Sequence, residues 1–205
     1  MTTLAPLLTI DEASQRRLFT EARSDARFSP APVPMDAVRS AYELVKWGPT
    51  GNNSMPLRVA VAESPTARAS VIANSAPGNQ PRLESAPLIL VAASDMNYHE
   101  LVHITAPGVV GLRDKLAATP DARLANAHDN ALIQVGYLIV GLRAAGLSVR
   151  PMGGFDRASV DSAFFAGSGW HAELLLAVGY PADDGDHRAG DRRPRPAWDD
   201  VARIL

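Results

Sequence analysis

Two hydrophobic periods alternate along the chain, and the places where one gives way to the other predict its elements. Leu7 to Ala22 sets Ile10, Ala13, Leu18 and Phe19 among charged residues, and Asp11 is placed to cap a helix there. Met35 to Trp47 carries Met35, Val38, Ala41, Tyr42, Val45 and Leu44 at helical spacing. Leu57–Ala62 alternates as a strand does, residues 64 to 72 read as a helix, and the breakers of Asn74 to Pro81 predict a loop. Pro87 to Ala93 is continuously apolar, the signature of a strand buried on both faces, so helices must cover the sheet. Ala125 to Leu147 is the longest helical pattern. It is nearly apolar all round from Ala131 to Leu142, which predicts a core helix instead of a surface one. Ala131, Gly136 and Gly141 would let another helix approach it closely, and Gly146 suits its C′ position. The extended piece Ser148 to Met152 runs into Gly153-Gly154, after which Asp156 caps a helix from Arg157 to Phe165. Glu173 to Tyr180 is a last strand. The tail from Asp183 is charged and Pro-containing and ends in a short helix, Trp198 to Leu205, whose Trp198, Val201 and Leu205 must pack on something. With no internal repeat and no dividing linker, residues 1–205 read as a single domain.

Composition narrows the chemistry. A formal net charge of −2 gives no electrostatic reason to expect nucleic-acid or membrane partners. There is no cysteine, which excludes disulfides, thiol nucleophiles and cysteine-bound metals. Met1 to Asp11 lacks a basic n-region, and no uncharged apolar run approaches the roughly 18 residues that span a bilayer. The expectation is a soluble, cytoplasmic protein.

Two stretches could cradle a ligand through the backbone. In Trp47–Pro56 two prolines bracket small polar residues, and Gly51, Asn52 and Asn53 tolerate positive φ, so the turn could aim several N–H groups at one point. Gly153-Gly154 precedes a helix N-terminus, another acceptor-binding arrangement. Two further stretches are cationic and suit phosphate: Arg23-Ser24, and Arg193-Pro194-Arg195. A mononucleotide uses both kinds. No strong acid, base or nucleophile stands among them, so the chemistry would belong to a cofactor. His99-Glu100-Leu101-Val102-His103 matches H-E-x-x-H and would make a zinc hydrolase on a long enough helix. Pro107-Gly108 cuts that helix short, and no third histidine or glutamate follows at ligand spacing, so pocket or surface histidines are the better reading. G-x-S-x-G, P-loop and G-x-G-x-x-G patterns are absent in the required contexts. Asp183-Asp184 and Asp199-Asp200 read as solvated charge.

The order of these stretches resembles the FMN-dependent nitroreductase family over nearly the whole length. Arg23-Ser24-Asp25-Ala26-Arg27-Phe28 is similar to the family's R-S-x-R-x-F element on the FMN phosphate and ribityl chain. Pro49-Thr50-Gly51-Asn52-Asn53-Ser54-Met55-Pro56 is similar to its P-S-x-x-N-x-Q-P turn along the flavin, with Met55 replacing glutamine. Pro151-Met152-Gly153-Gly154-Phe155 resembles the loop whose N–H groups approach flavin N5 and O4, and Arg193 and Arg195 resemble the late basic element. Lys46 to Thr50, and Pro151 to Asp156 with Asp161 to Ser168, look closest to the branch labelled malonic semialdehyde reductase, or NADH dehydrogenase/NAD(P)H nitroreductase. The resemblance implies an α+β fold, a mixed but mainly antiparallel sheet flanked by helices, in an intertwined homodimer with two FMN sites formed by both subunits. It implies Arg23, Ser24, Asp25, Arg27, Pro49, Thr50, Gly51, Asn52, Asn53, Met152, Gly153, Gly154, Arg193 and Arg195 as FMN-binding residues, with flavin N5 carrying the hydride and no catalytic side chain. Arg27 is one candidate for stabilising reduced flavin. NADH or NADPH would reduce the flavin in a ping-pong cycle. The acceptor would be small: malonic semialdehyde going to 3-hydroxypropionate, or a nitro or quinone compound. A flavin-storing or flavin-sensing module of the same fold is the second reading, and the zinc hydrolase the third.

Overall fold

The computed structural model describes residues 9–182 and 191–205. Its helices are α1 (Glu12–Gln15), α2 (Met35–Val45), α3 (Pro65–Ala73), α4 (Gln80–Ser85), α5 (Val102–Thr105), α6 (Leu112–Ala117), α7 (Pro120–Ala144), α8 (Arg157–Phe164) and α9 (Trp198–Val201). Its strands are β1 (Leu57–Val61), β2 (Leu88–Asp95), β3 (Ser148–Met152) and β4 (Trp170–Gly179), forming one sheet in the order β1-β2-β4-β3 with each neighbouring pair antiparallel. The continuous apolar run of β2 does what its pattern demands: every residue from Leu88 to Asp95 is buried.

Alternate residues of the strands feed two cores. Leu90, Ala92, Leu176, Val178 and Val149 pack under α2 and α7 with Val38, Ala41, Val135, Leu138 and Leu142. Ile89, Val91, Leu175 and Ala177 pack on the other face against Val71 of α3, Leu83 of α4 and Val160 of α8. Capping follows the residues. Asp11 accepts from Ser14 N and Asp156 from Ser159 N, opening α1 and α8. At the end of α7, Gly146 (φ 83°) takes the left-handed position while Leu147 N–H returns to Leu142 O and Gly146 N–H to Arg143 O.

Several boundaries differ from the pattern, each for a local reason. The first helix widens into a π-turn over Arg16–Thr20, so Arg23 and Ser24 follow it and do not end it. The 74–81 loop is shorter than its breakers suggest, because Pro81 fits the first turn of α4, where its missing N–H costs no helical bond. Pro120 likewise opens α7 five residues before Ala125. The tail helix stops at Val201, leaving Trp198, Val201, Ile204 and Leu205 exposed instead of packed.

The largest correction concerns α7. Its inner face (Ala127, Ala131, Val135, Leu138 and Leu142) is buried, but Leu132, Ile133 and Tyr137 are exposed around an open Gly136. A helix apolar all round need not be a core helix of its own chain, because periodicity does not say which chain covers each face. Close approach does occur at Gly141, where an added Cβ would lie 2.7 Å from Val45 Cγ1 and 2.9 Å from Ala41 O of α2. A backbone oxygen cannot swing aside, so Gly141→Ala should separate α2 from α7. The expected net loss is about 1–2 kcal/mol despite alanine's better helix propensity, measured by urea unfolding. An unchanged or raised midpoint would show that the two helices move apart freely.

Candidate functional site

A cavity of about 490 Å³ is lined by Phe19, Ala22, Ser24 and Asp191 together with Arg23, Arg143, Arg150, Arg192, Arg193 and Arg195. Six guanidiniums face one carboxylate, so the cavity is a strong anion site. A smaller chamber of about 240 Å³ shares Arg23 and Arg143 with it. Arg150 Nη1 donates to Ser24 O at 2.8 Å and Asp25 O at 2.9 Å, holding the 23–25 segment against β3. Arg143 Nη1 donates to Leu18 O at 2.9 Å, while its buried Nε has no partner. Burial first, then the charges of Arg192 on Arg143 and of Arg82 on Arg150, push both guanidiniums below the usual arginine range. Arg192 also donates to Phe19 O and Thr20 O, which ties the tail to the end of the first helix.

The expected cradle thus gathers Arg23, Ser24, Arg193 and Arg195 in one place. It also contains Arg143, Arg150 and Arg192, which the sequence reading passed over. A lone Arg in a strand and another at a helix end look like solvated charge until the strand and helix converge. Two expected ligands lie outside the lining of the larger cavity. Asp25 is buried, accepts a hydrogen bond from Ser148 Oγ and lines the smaller chamber beside Arg23 and Arg143. Arg27 is exposed and lies outside the cavity lining, next to the Phe28–Pro181 bridge.

β3 leads from this cavity to the paired glycines, roughly 10 Å from Arg150 at ~3.3 Å per residue. The carbonyl of Gly154 accepts from Ala76 N and from Asn79 Nδ2, which fixes the loop from one side. A Cβ on Gly154 would come within 3.1 Å of Asn79 Nδ2, so any larger residue would press on the amide that holds the loop. The Met152 side chain is a core residue, which leaves only its backbone available to a ligand.

The 47–56 turn is built differently from the expected fan of N–H groups. Asn52, Asn53 and Met55 take positive φ (53°, 52° and 50°), and Gly51 does not. Most of its N–H groups are used within the fold: Asn53 N to Thr50 O, Ser54 N to Gly51 O, Met55 N to Thr50 Oγ1 and Gly51 N to Asn130 Oδ1. A short 3-10 turn closes on itself in this way. Met55 sulfur receives Gln134 Nε2 at 3.5 Å, and Gln134 Oε1 accepts from Leu57 N at 2.9 Å. Met55 therefore packs inward where a glutamine could have faced a ligand. Asn53 Nδ2 donates to Thr105 O at 2.6 Å. Behind the turn stands a ladder of amides on α7, Asn126, Asn130 and Gln134, with Tyr98 OH on Asn126 Oδ1 at 2.9 Å. Their spacing of four in an apolar helix was the signal that could have found them.

One copy of the chain does not bring the tip of this turn to the arginine cavity. Gly51 is held by Asn130, and Arg143 lies on the same helix roughly 20 Å farther along its axis at ~1.5 Å per residue.

The H-E-x-x-H segment does not form a zinc site. His99 is buried with Nε2 3.1 Å from Arg123 Nη1, and burial, reinforced by Arg123, holds its pKa below the ordinary value. Arg113 binds Glu100 through two hydrogen bonds of 2.8 and 2.9 Å and lowers its pKa. His103 is exposed with Nδ1 on Glu100 O. A 3-10 turn over Tyr98–Leu101 followed by α5 breaks the one-face geometry that i, i+4 ligation needs, and among the described residues no three potential ligands cluster. Asp199 and Asp200 are exposed, as expected, and Asp200 also accepts from Ala197 N; Asp183-Asp184 lies outside the described residues.

Fold and motif order define a class: the chain belongs to the nitroreductase family, which its residues 20–180 match. Relatives bearing the name "Putative NADH dehydrogenase/NAD(P)H nitroreductase" include one from Caulobacter sp. (strain K31), 35% identical over 96% of this chain and 98% of its own. Another, from Streptomyces griseus subsp. griseus, is 36% identical over 95% and 97%. Among solved structures, a nitroreductase family protein from Streptococcus pneumoniae TIGR4 superposes with TM-score 0.78 at 19% identity, covering 92% of this chain and 98% of that one. A nitroreductase from Exiguobacterium sibiricum 255-15 in complex with FMN gives TM-score 0.76 at 18% identity, over 97% and 99%. Among the described residues no helix is long and apolar enough to cross a membrane.

Proposed function

We propose that this chain is an FMN-dependent NAD(P)H oxidoreductase acting as a homodimer in the cytoplasm, where NAD(P)H is available. The observation that carries the proposal is a six-arginine cavity standing one short strand away from a double-glycine loop. The donor set suits FMN: guanidiniums and Ser24 for a phosphate, an unpartnered buried Arg143 Nε, and a backbone loop for a flat heterocycle. Arg150 and Arg143 would hold the phosphate, with Arg192, Arg193 and Arg195 from the tail on its other side, and Gly153 and Gly154 would offer N–H groups to the ring edge. When bound, FMN would accept hydride from NAD(P)H and pass it to the second substrate. The names its relatives bear support NAD(P)H as donor.

A second copy completes the site. The exposed face of α7 and the exposed Trp47 and Trp198 form apolar surface that a monomer would leave in water, and the turn at Thr50–Asn53 is too far from its own cavity. In the dimer the turn of one copy would meet the cavity of the other, with Pro49 and Thr50 shaping it and Asn52 and Asn53 offering side-chain amides. The acceptor would be a small carbonyl such as malonic semialdehyde, reduced to 3-hydroxypropionate, or a nitro or quinone compound.

Purified protein should be yellow, and anaerobic NADH or NADPH should bleach it. Yellow protein that neither nucleotide bleaches would leave a storage or sensing module, and colourless protein that takes up no added FMN would sink the flavin reading. Comparing malonic semialdehyde, a quinone and a nitroaromatic as oxidants of the bleached enzyme assigns the acceptor.

A further inference from the structure

We propose that His128, held by Glu173, delivers the proton that the acceptor needs when it receives hydride. This rests on the reading above, in which the Gly153–Gly154 loop meets the hydride-bearing edge of the cofactor.

The argument begins with a β-bulge. β2 and β4 pair Ala92 with Leu174 and then Ala93 with Ala172, so Glu173 has no partner across the ladder. The extra residue turns Glu173 toward α7, although strict alternation from Leu174 would turn it away. Its carboxylate is buried there between two donors. Oε1 accepts from Ser94 Oγ at 2.7 Å, and Oε2 lies 2.8 Å from His128 Nδ1. A carboxylate in this position is an acceptor, so Nδ1 carries the hydrogen and Nε2 is the free nitrogen. The Glu173 side chain is 7% exposed and that of His128 47%, so the pair joins a buried anchor to an open imidazole.

Its location gives the pair a use. Continuing the register Met152–Leu175 places Gly153 opposite Leu174 and Gly154 beside Glu173, and a Cβ on Gly153 would touch Leu174 Cδ2 at 3.6 Å. The Glu173 backbone is therefore about one strand spacing, ~4.8 Å, from the double-glycine backbone, and the His128 ring stands beyond the Glu173 carboxylate on the α7 side. The charged group on the ring is Glu173 from β4; Arg157 of α8 donates to the main-chain Glu173 O at 3.2 Å, and Asp129 is the neighbour of His128 on α7. Nothing in the fold requires histidine here: it is an exposed helix position, and Ser94 already serves the carboxylate.

For a carbonyl acceptor the balance is R–CHO + NAD(P)H + H⁺ → R–CH₂OH + NAD(P)⁺. The hydride pair forms the new C–H bond, the C=O π pair moves to oxygen, and oxygen takes the Nε2 proton of the imidazolium form of His128, which leaves the neutral Nδ1–H tautomer held by Glu173. The imidazole regains its proton from solvent. NAD(P)H is oxidised and the carbonyl reduced. Glu173 is a positioning residue that fixes the tautomer.

The test uses FMN-loaded protein. By ¹⁵N NMR, neutral His128 should show the Nδ1–H tautomer, and Glu173→Gln, whose amide can donate to Nδ1, should shift it toward Nε2–H; an Nε2–H tautomer in the unmodified protein overturns the proposal. In stopped flow, His128→Gln should slow oxidation of the bleached enzyme by an aldehyde about 10²-fold and remove the pH dependence of that step. Oxidation by ferricyanide, which takes electrons without a proton, serves as the internal reference. Aldehyde reduction at the unmodified rate by a yellow, bleachable His128→Gln variant sinks this proposal and leaves the flavin reading standing. Protein that never binds FMN sinks both.

Discussion

Arg150→Ala is expected to strip FMN from the protein. The guanidinium lies at the join of β3 and the 23–25 segment, where two backbone carbonyls hold it 2.8 and 2.9 Å away. Burial and the nearby Arg82 already press on its charge, and a phosphate dianion would relieve that pressure. Losing a hydrogen bond to a charged group costs about 1.5–3 kcal/mol, so the FMN dissociation constant should rise roughly 10- to 150-fold. The measurement is quenching of FMN fluorescence on titration into apoprotein. Lysine should restore little, because one ammonium cannot hold two carbonyls and a phosphate with the fork geometry of arginine. Arg195→Ala should cost less, since that side chain is exposed and donates to its own neighbours' carbonyls, Arg193 O and Pro194 O. If Arg150→Ala binds FMN as tightly as the parent, the phosphate site lies elsewhere.

Ile133→Glu should break the proposed dimer, and the flavin should leave with it. Ile133 is 46% exposed on the outer face of α7, next to Leu132 and Tyr137, with open space over Gly136. Two-fold symmetry would place each substitution in the interface twice. Each copy would lose burial worth about 1.5–3 kcal/mol and gain a carboxylate that must be desolvated. Sedimentation should show a monomer where the parent sediments as a dimer, and the variant should be colourless. A yellow, dimeric Ile133→Glu protein would place the interface on another face. The substitution leaves the chain's own core untouched, so a normal far-UV spectrum separates dissociation from unfolding.

Local signals and long-range ones had different fates in this chain. The apolar run of β2, the Asp156 cap, Gly146 after α7 and the prolines opening α4 and α7 all act within a few residues, and the first three were legible directly. α6 escaped because six residues with two apolar turns carry too little periodicity. Asn126, Asn130 and Gln134 were visible as amides at a spacing of four, yet only the folded turn shows what they bind.

The candidate site divides in the same way. Arg23, Ser24, Arg193 and Arg195 share a cavity as their residue types suggested, because cationic segments from both ends of the chain meet at β3. Asp25 sits in the smaller chamber instead of the larger one, because Ser148 of β3 holds its buried carboxylate there. Met55 accepted a left-handed backbone because its sulfur could pack on Gln134.

By itself, then, the sequence determined the strand and helix types, the caps and the family, all of which depend on residue type and short spacing. Only the tertiary structure decided which arginines converge, which face of α7 is left for another chain, and that a bulge turns Glu173 toward His128. Those depend on register and on contacts between residues far apart in the chain, where a one-residue shift in a strand reverses the face on which a side chain lies.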